Sequence, residues 1–323
     1  LLKTVQLINE HAVPSAYPDA GGTLEAETAR LIQLIYQYAP HDGAFDQRIP
    51  GLFIGRYSRV DMDNVKTFYS PSLGIVVQGA KDITVGKEVH RIGKSDMFVT
   101  PAALPVAVQT TQASHSEPLL GVRLDLDPQR IAELVLKVYP QGLPPIHERS
   151  ACYVTNADLG IVRTMSRLIE YLFHPGDAEL LAPLAVDEIL IRLLRSPVGV
   201  HVAEMGFADS EMQPVVKAIA WLRDHFSQQI KVENLAELEH MSVSTFYKHF
   251  KSVTSMSPLQ YQKALRLQEA RHLMLSRQMD ATTACRLVGY VSDSQFSRDY
   301  SAYFGRPPRR DVSRLLQREL IMD

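Results

Sequence analysis

Ser242-Val243-Ser244-Thr245-Phe246-Tyr247-Lys248-His249-Phe250 is answered fifty residues later by Ser292-Asp293-Ser294-Gln295-Phe296-Ser297-Arg298-Asp299-Tyr300. Both stretches read Ser-x-Ser-x-Phe-x-(Lys/Arg)-x-(Phe/Tyr), and the match runs on to Pro258 and Pro308. Self-similarity of this size marks a duplicated supersecondary element. In each copy the aromatic residues fall on one face of a helix, and serines with one cation fall on the other. Two short polar faces, each with a cation, suit two helices entering successive major grooves of DNA.

Outward from these stretches, each copy reads as helix, tight turn, helix. In the first, Val232 to Glu239 is a short helix, Met241-Ser242 the turn, and Ser244 to Val253 the second helix with Phe246, Phe250 and Val253 inward. In the second, Ala281 to Val288 precedes the Gly289-Tyr290 turn and a helix from Ser294 to Phe304. Pro214 to Phe226 is a lead helix. Ser257-Pro258-Leu259-Gln260 reads as a capping box with proline at the first helical position, launching a helix to about Ser276. At 1.5 Å per residue that spacer holds the copies about 25–30 Å apart, near the roughly 34 Å of one DNA turn.

The residues expected to meet DNA are Ser242, Ser244, Thr245, Tyr247, Lys248 and Lys251 in the first copy. In the second they are Ser292, Ser294, Gln295, Ser297 and Arg298. Arg298 is read as a base contact, because a guanidinium pairs bidentately with guanine O6 and N7. Lys248 is read as a phosphate contact, since a point charge carries less geometric information. Tyr247, Ser244 and Ser297 are placed at base edges or thymine methyls. Ser242 and Ser292 equally suit N-caps, and Gln295 either closes a capping box or touches DNA.

Charge follows the same division. From Gln213 onward the chain carries 16 Lys and Arg against 11 Asp and Glu, whereas the remainder carries 18 against 25. A basic module joined to an acidic partner domain is the pattern of a nucleic-acid reader. The 323 residues, 46% hydrophobic and 22% charged, leave room for two cores. Two cysteines, Cys152 and Cys285, build neither a disulfide framework nor a zinc spacing, which points to a reducing cytoplasm. No apolar run approaches a membrane span, and no signal peptide is visible. The first residue is Leu, so the numbered chain is expected to be a truncated or processed form.

Leu24 to Tyr38 has helical spacing. From Gly51 to Leu126 the texture changes to short β-branched runs, among them residues 52–57, 73–78, 83–85, 97–100, 106–108 and 119–124. Glycines and prolines separate them, as in a small sandwich or barrel. Helical period returns from Pro128 to about Val138, from Leu159 to Leu172, and from about Ala178 to Leu194. The fold class expected is α+β: a β-sandwich with flanking helices, then an all-α unit of two helix-turn-helix motifs joined by a long helix. The divisions are an arm at 1–22, a sandwich domain at 23–197, a linker at 198–212, the reader at 213–312 and a tail at 313–323.

Leu235-Ala236, Met241-Ser242, Phe250-Lys251, Ser257-Pro258, Arg266-Leu267, Val288-Gly289-Tyr290, Phe296-Ser297-Arg298, Phe304-Gly305 and Pro308 together resemble the AraC/XylS family of bacterial transcription regulators over about residues 213–312. Two departures are Ser255-Met256, where the family usually has Gly, and Asp311-Val312, where it often has Tyr-Arg. Pro71-Ser72-Leu73, Val76-Val77-Gln78-Gly79-Ala80-Lys81, Pro101-Ala102 and Leu124-Asp125-Leu126-Asp127 resemble the cupin-like effector and dimerisation domain of one subgroup. The resemblance implies a bacterial cytoplasmic, nucleoid-associated regulator acting on promoter DNA, with RNA polymerase, a second copy and a small-molecule effector as further partners.

Within the sandwich, Lys81 is a candidate effector contact, and a solvated strand-start lysine is the alternative. His90 and His115 lack the His-x-His and downstream Glu of a cupin metal site, so no metal or cofactor is expected. The face of Leu159, Val162, Met165, Ile169 and Leu172 either forms a dimer seam or packs on its own sandwich. A cupin-type enzyme with a helical accessory domain needs a metal cluster or an activated nucleophile, and neither is found. A co-regulator acting mainly through protein contacts is the remaining alternative.

Overall fold

The computed structural model describes residues 22–46, 48–60, 65–146 and 148–322, with side chains at 46 and 318–322 excepted. The arm expected at 1–22 therefore lies, apart from Gly22, outside the described residues. Two compact units are present, one drawn from residues 22–65 and 69–213 and the other from 66–68 and 214–322.

In the first unit, helix α1 (Leu24–Tyr38) starts on the Thr23 cap and buries Leu31, Leu34 and Ile35. Strands β1 (Gly43–Asp46), β2 (Leu52–Tyr57), β3 (Val65–Tyr69), β4 (Ser72–Gln78), β5 (Ala80–Val85), β6 (Glu88–Ile92), β7 (Asp96–Thr100), β8 (Leu104–Gln112) and β9 (Leu119–Asp125) follow. After helix α2 (Pro128–Val138) comes a last strand, β10 (Tyr153–Asn156). They form a six-stranded sheet ordered β1-β2-β9-β4-β7-β10 and a four-stranded sheet ordered β3-β8-β5-β6. The expected α+β class holds, with four strands (β1, β3, β6 and β10) that the apolar runs did not announce.

Along β2, Leu52, Ile54 and Arg56 alternate to one face of the larger sheet. Arg56 on that face donates to the carbonyls of Ala39 and Pro40 at 2.9 Å each, and it lies 5.1 Å from the Tyr36 ring centre of α1. Helix α1 thus covers this face. Helix α3 (Leu159–Glu170), capped by Asp158, continues into a short 3-10 turn, Tyr171–Phe173. It packs between α1 and α5 (Ala182–Leu194). Val162, Met165, Ile169 and Leu172 are all buried there. The dimer-seam reading of this face is therefore corrected: it is internal packing.

The single helix expected from about Ala178 to Leu194 is two: α4 (Pro175–Leu180) and α5. Pro183 lacks an N–H and clashes with the preceding turn, so a continuous helix cannot pass through it. Residues 198–212, expected as a linker, hold α6 (Gly199–Ala203) with Val202 and Ala203 fully buried. Glu204, 3% exposed, receives Arg149 at 2.8 Å.

The second unit is helical: α7 (Gln213–Asp224), α8 (Val232–Leu238), α9 (Val243–Thr254), α10 (Pro258–Ser276), α11 (Ala281–Leu287), α12 (Asp293–Phe304) and α13 (Pro308–Met322). Helix α10 serves both halves. Its Tyr261 meets Phe250 of α9 edge-on at 5.7 Å, while Leu267, Ala270 and Met274 pack with Ala284, Cys285, Phe296 and Tyr300. Helix α13 runs through the residues expected as a tail.

Candidate nucleic-acid interface

The two turns are built alike. In the first, His240 takes a left-handed backbone (φ 53°), and the Met241 N–H donates to the Ala236 carbonyl at 2.9 Å. In the second, Gly289 takes that position (φ 86°), and the Tyr290 N–H donates to the Cys285 carbonyl at 3.0 Å. Only glycine fits there: a Cβ on Gly289 would stand 1.9 Å from the Ser227 carbonyl oxygen. These positions lie 49 residues apart, whereas Ser242 and Ser292 lie fifty apart. The extra residue is Val291, whose side chain is fully exposed.

Each second helix begins on its serine. Ser242 Oγ accepts the Thr245 N–H at 3.2 Å and lies 2.8 Å from Thr245 Oγ1 and 3.1 Å from Ser244 Oγ. Ser292 Oγ accepts the Gln295 N–H at 3.3 Å. The spacer shows the full capping box, in which Gln260 Oε1 also accepts the Ser257 N–H at 2.9 Å. Helix α12 shows only the serine half, so the Gln295 carboxamide is left outward.

Beneath these caps the aromatic stripe is core. Phe246, Phe250 and Tyr300 have no exposed surface, and Phe296 has almost none. On the other side Ser242, Ser244, Thr245, Tyr247, Lys248 and Lys251 are exposed, as are Ser292, Ser294, Gln295 and Arg298. Ser297 is half-buried. Among the described residues, the side chains of Lys248, Lys251 and Arg298 make neither an ion pair nor a hydrogen bond.

The cations of the supporting helix behave differently. Arg266 donates to the carbonyls of Phe226 and Gln228 at 2.6 and 2.7 Å. Arg271 stands 3.0 Å from buried Asp311, which also accepts the Tyr300 hydroxyl at 2.9 Å. Lys263 donates to Asp299 at 2.9 Å. Burial and the Asp311 carboxylate together raise the Tyr300 phenol far above its ordinary range. Positive charge is consumed inside and left unpaired on the outward faces of α9 and α12. That is the arrangement of a phosphate- and base-contacting surface.

Residues 235–314 match the family described as a helix-turn-helix domain, and residues 48–201 match the one described as the N-terminus of AraC-type transcriptional regulators. The chain belongs to the AraC-type regulators. Among curated relatives, it is 32% identical over 92 residues to the uncharacterised regulator YobQ of Bacillus subtilis, covering 28% of this chain and 38% of that protein. It is 28% identical over 170 residues to the activator RhaS of Salmonella paratyphi A, covering 52% of this chain and 58% of that one. The chain thus spans less than two thirds of either relative. The AraC-type fold is also that of ToxT from Vibrio cholerae, with a TM-score of 0.56 at 11% identity over 81% of this chain and 97% of ToxT.

Lys81, the effector candidate in the first unit, is not a solvated strand-start lysine. It is half-buried, with its ammonium 4.7 Å from the Phe98 ring centre. Arg123 and Tyr69, which stand near it, were not singled out by pattern or spacing. The signal was there: an arginine in the otherwise apolar run Leu119-Leu120-Gly121-Val122-Arg123-Leu124.

Proposed function

We propose that this AraC-type regulator binds double-stranded DNA sequence-specifically through the outward faces of α9 and α12, and so controls transcription at promoters in the bacterial cytoplasm and nucleoid. The observation that carries this is the set of unpaired cations, Lys248, Lys251 and Arg298, above two buried aromatic stripes. Arg298 reads a base, Lys248 and Lys251 hold phosphates, and Ser244, Tyr247, Ser294, Gln295 and Ser297 fill the remaining contacts. Ser242, Thr245 and Ser292 fix the helix starts and present their N-terminal amides to phosphate. RNA polymerase and a second copy of the chain are the further partners of this reading, and no catalysis is assigned.

The first unit is the sensor. Its support is a strand enclosure with charged groups inside, together with the fold shared with ToxT, a structure of which holds an unsaturated fatty acid. The experiment is a gel-shift titration of the full chain against a fragment selected from a random DNA pool, with random duplex as competitor. A specificity ratio above about 10³ supports the reading. Equal affinity for both duplexes overturns it in favour of a co-regulator working through protein contacts.

A further inference from the structure

Packing leaves one residue of the second turn unexplained. Among the described residues no large apolar side chain is as bare as Val291, whose relative exposure is 104%; Leu180 follows at 74%. Turns favour Gly, Pro, Asn, Asp and Ser, so a β-branched apolar residue in this one calls for a reason. Its backbone is held from both sides. Tyr290 is buried, with its N–H on the Cys285 carbonyl and its hydroxyl donating to Asp299 at 3.2 Å. Ser292 caps α12 through its bond from the Gln295 N–H. The valine side chain is itself stiff about its first bond. Val291 is thus presented to solvent in a fixed place.

The ordinary use of an apolar residue just before a cap is to pack on the fourth residue of the helix. In the first copy Met241 holds that place and is half-buried. In the second copy Tyr290 has taken the contact, meeting Phe296 edge-on at 5.3 Å, and the extra residue leaves Val291 off the core. The acid beside it is turned back toward α11: burial and the Asp293 carboxylate together raise the Cys285 thiol to about 11. Beyond the cap, Ser294 and Gln295 are exposed at this end of α12, with Arg298 further along. An apolar side chain at the entering end of a reading helix matches the one apolar group on the floor of the major groove, the C5 methyl of thymine.

We propose that Val291 is a specificity-determining residue of the second copy, packing against the methyl of one operator thymine. The proposal rests on the DNA-binding reading and adds a base to it. From Val291 to Arg298 the chain advances at most about 14 Å, in two extended steps and five helical ones. At 3.4 Å per base pair, the thymine falls within about four base pairs of the position that Arg298 reads.

The test replaces each thymine of the selected duplex in turn by deoxyuridine, which removes the methyl and keeps the pairing. In gel shifts the full chain is expected to lose about fourfold at one thymine within four base pairs of the position that Arg298→Ala relaxes, the worth of one buried methyl-sized group. Val291→Ser is expected to lose about as much on the unmodified duplex and to ignore that same replacement. It is also expected to keep the parent's melting temperature and its affinity for random duplex, because so exposed a side chain carries no packing. Replacements that change nothing, no thymine within that window, a sensitive thymine outside it, or equal sensitivity in Val291→Ser each overturn the contact. Parental affinity of Val291→Ser for every duplex overturns it too, and leaves the side chain to a protein partner. A parent that prefers selected over random DNA by more than about 10³ yet ignores every replacement keeps the regulator reading and loses this one. A parent without that preference loses both.

Discussion

Arg266 and Arg298 are one side chain put to opposite uses. Arg266 directs its donors to the carbonyls of Phe226, Ser227 and Gln228, while the exposed Arg298 guanidinium makes no hydrogen bond or ion pair among the described residues. Arg298→Ala should therefore leave urea unfolding within about 0.5 kcal/mol of the parent. It should weaken selected DNA by about 1–3 kcal/mol and relax the preference at one base pair. Lys251→Ala should weaken selected and random duplexes alike. Equal losses on both duplexes for Arg298→Ala would remove its base-reading role. Sequence alone does not separate the two arginines, because the carbonyls that engage Arg266 lie some forty residues away in the chain. The Ser-Phe-cation pattern does pick out Arg298, because helical periodicity turns the cation away from Phe296 within a single element. Lys81 adds a pH dependence. Its ammonium is held near 8 when folded, against an ordinary 10.5. Below about pH 8 both folded and unfolded chains hold the proton, and the penalty is present in full. Between about 8 and 10 the unfolded chain binds more protons, so folding stability rises with pH. The gain in the parent over Lys81→Met should reach about 1–2 kcal/mol by pH 9.5, read by urea unfolding at pH 7 and 9.5.

At the scale of elements the two copies differ in how their second helices stop. Helix α12 ends on Gly305 in the left-handed region, while α9 ends on Ser255 there, with φ 54° and its N–H donating to the Lys251 carbonyl at 2.8 Å. A side chain in that region costs about 1–2 kcal/mol, partly offset by the greater freedom glycine gives the unfolded chain. Ser255→Gly should stabilise the helical unit by about 0.5–1 kcal/mol without altering DNA affinity, and thermal unfolding beside a gel shift reads both. No rise in the midpoint would mean that the cap is unstrained. The departure from the family at Ser255 was legible as a residue type, and its backbone conformation was not. Helices α1, α2 and α10 matched their expected bounds, since cap, periodicity and first-turn proline all lie within the element. Strands β3 and β6 escaped because Val65-Lys66-Thr67-Phe68-Tyr69 and Glu88-Val89-His90-Arg91-Ile92 keep much polar surface in place of an apolar run. The Asp311 departure proves structural: it holds Arg271 and Tyr300 together, a pairing that only the folded helices bring about.

For the whole molecule the deciding quantity is where charge sits, since a net −2 conceals a basic stretch from Gln213 onward and an acidic remainder. Affinity for DNA then depends on the few cations free to displace counterions from phosphate. Among the described residues the side chains of Lys248, Lys251 and Arg298 are unpaired, while Lys263, Arg266 and Arg271 are engaged within the fold. Lys248 and Lys251, the two phosphate-facing cations, correspond to a slope of about −2 for log affinity against log salt. Between 200 and 50 mM salt, binding of one copy should tighten about twelve-fold on selected DNA. Lys251→Ala should reduce that slope by about one, whereas Lys263→Ala, which frees no phosphate contact, should leave it unchanged. Gel-shift titrations at four salt concentrations measure all three. A slope near zero in the parent would mean that the outward faces of α9 and α12 do not grip a phosphate backbone, and the co-regulator reading would replace the one proposed above. A normal slope that Lys251→Ala fails to change would instead place the phosphate contacts on other exposed cations, such as Arg306, Arg309 and Arg310 around the start of α13.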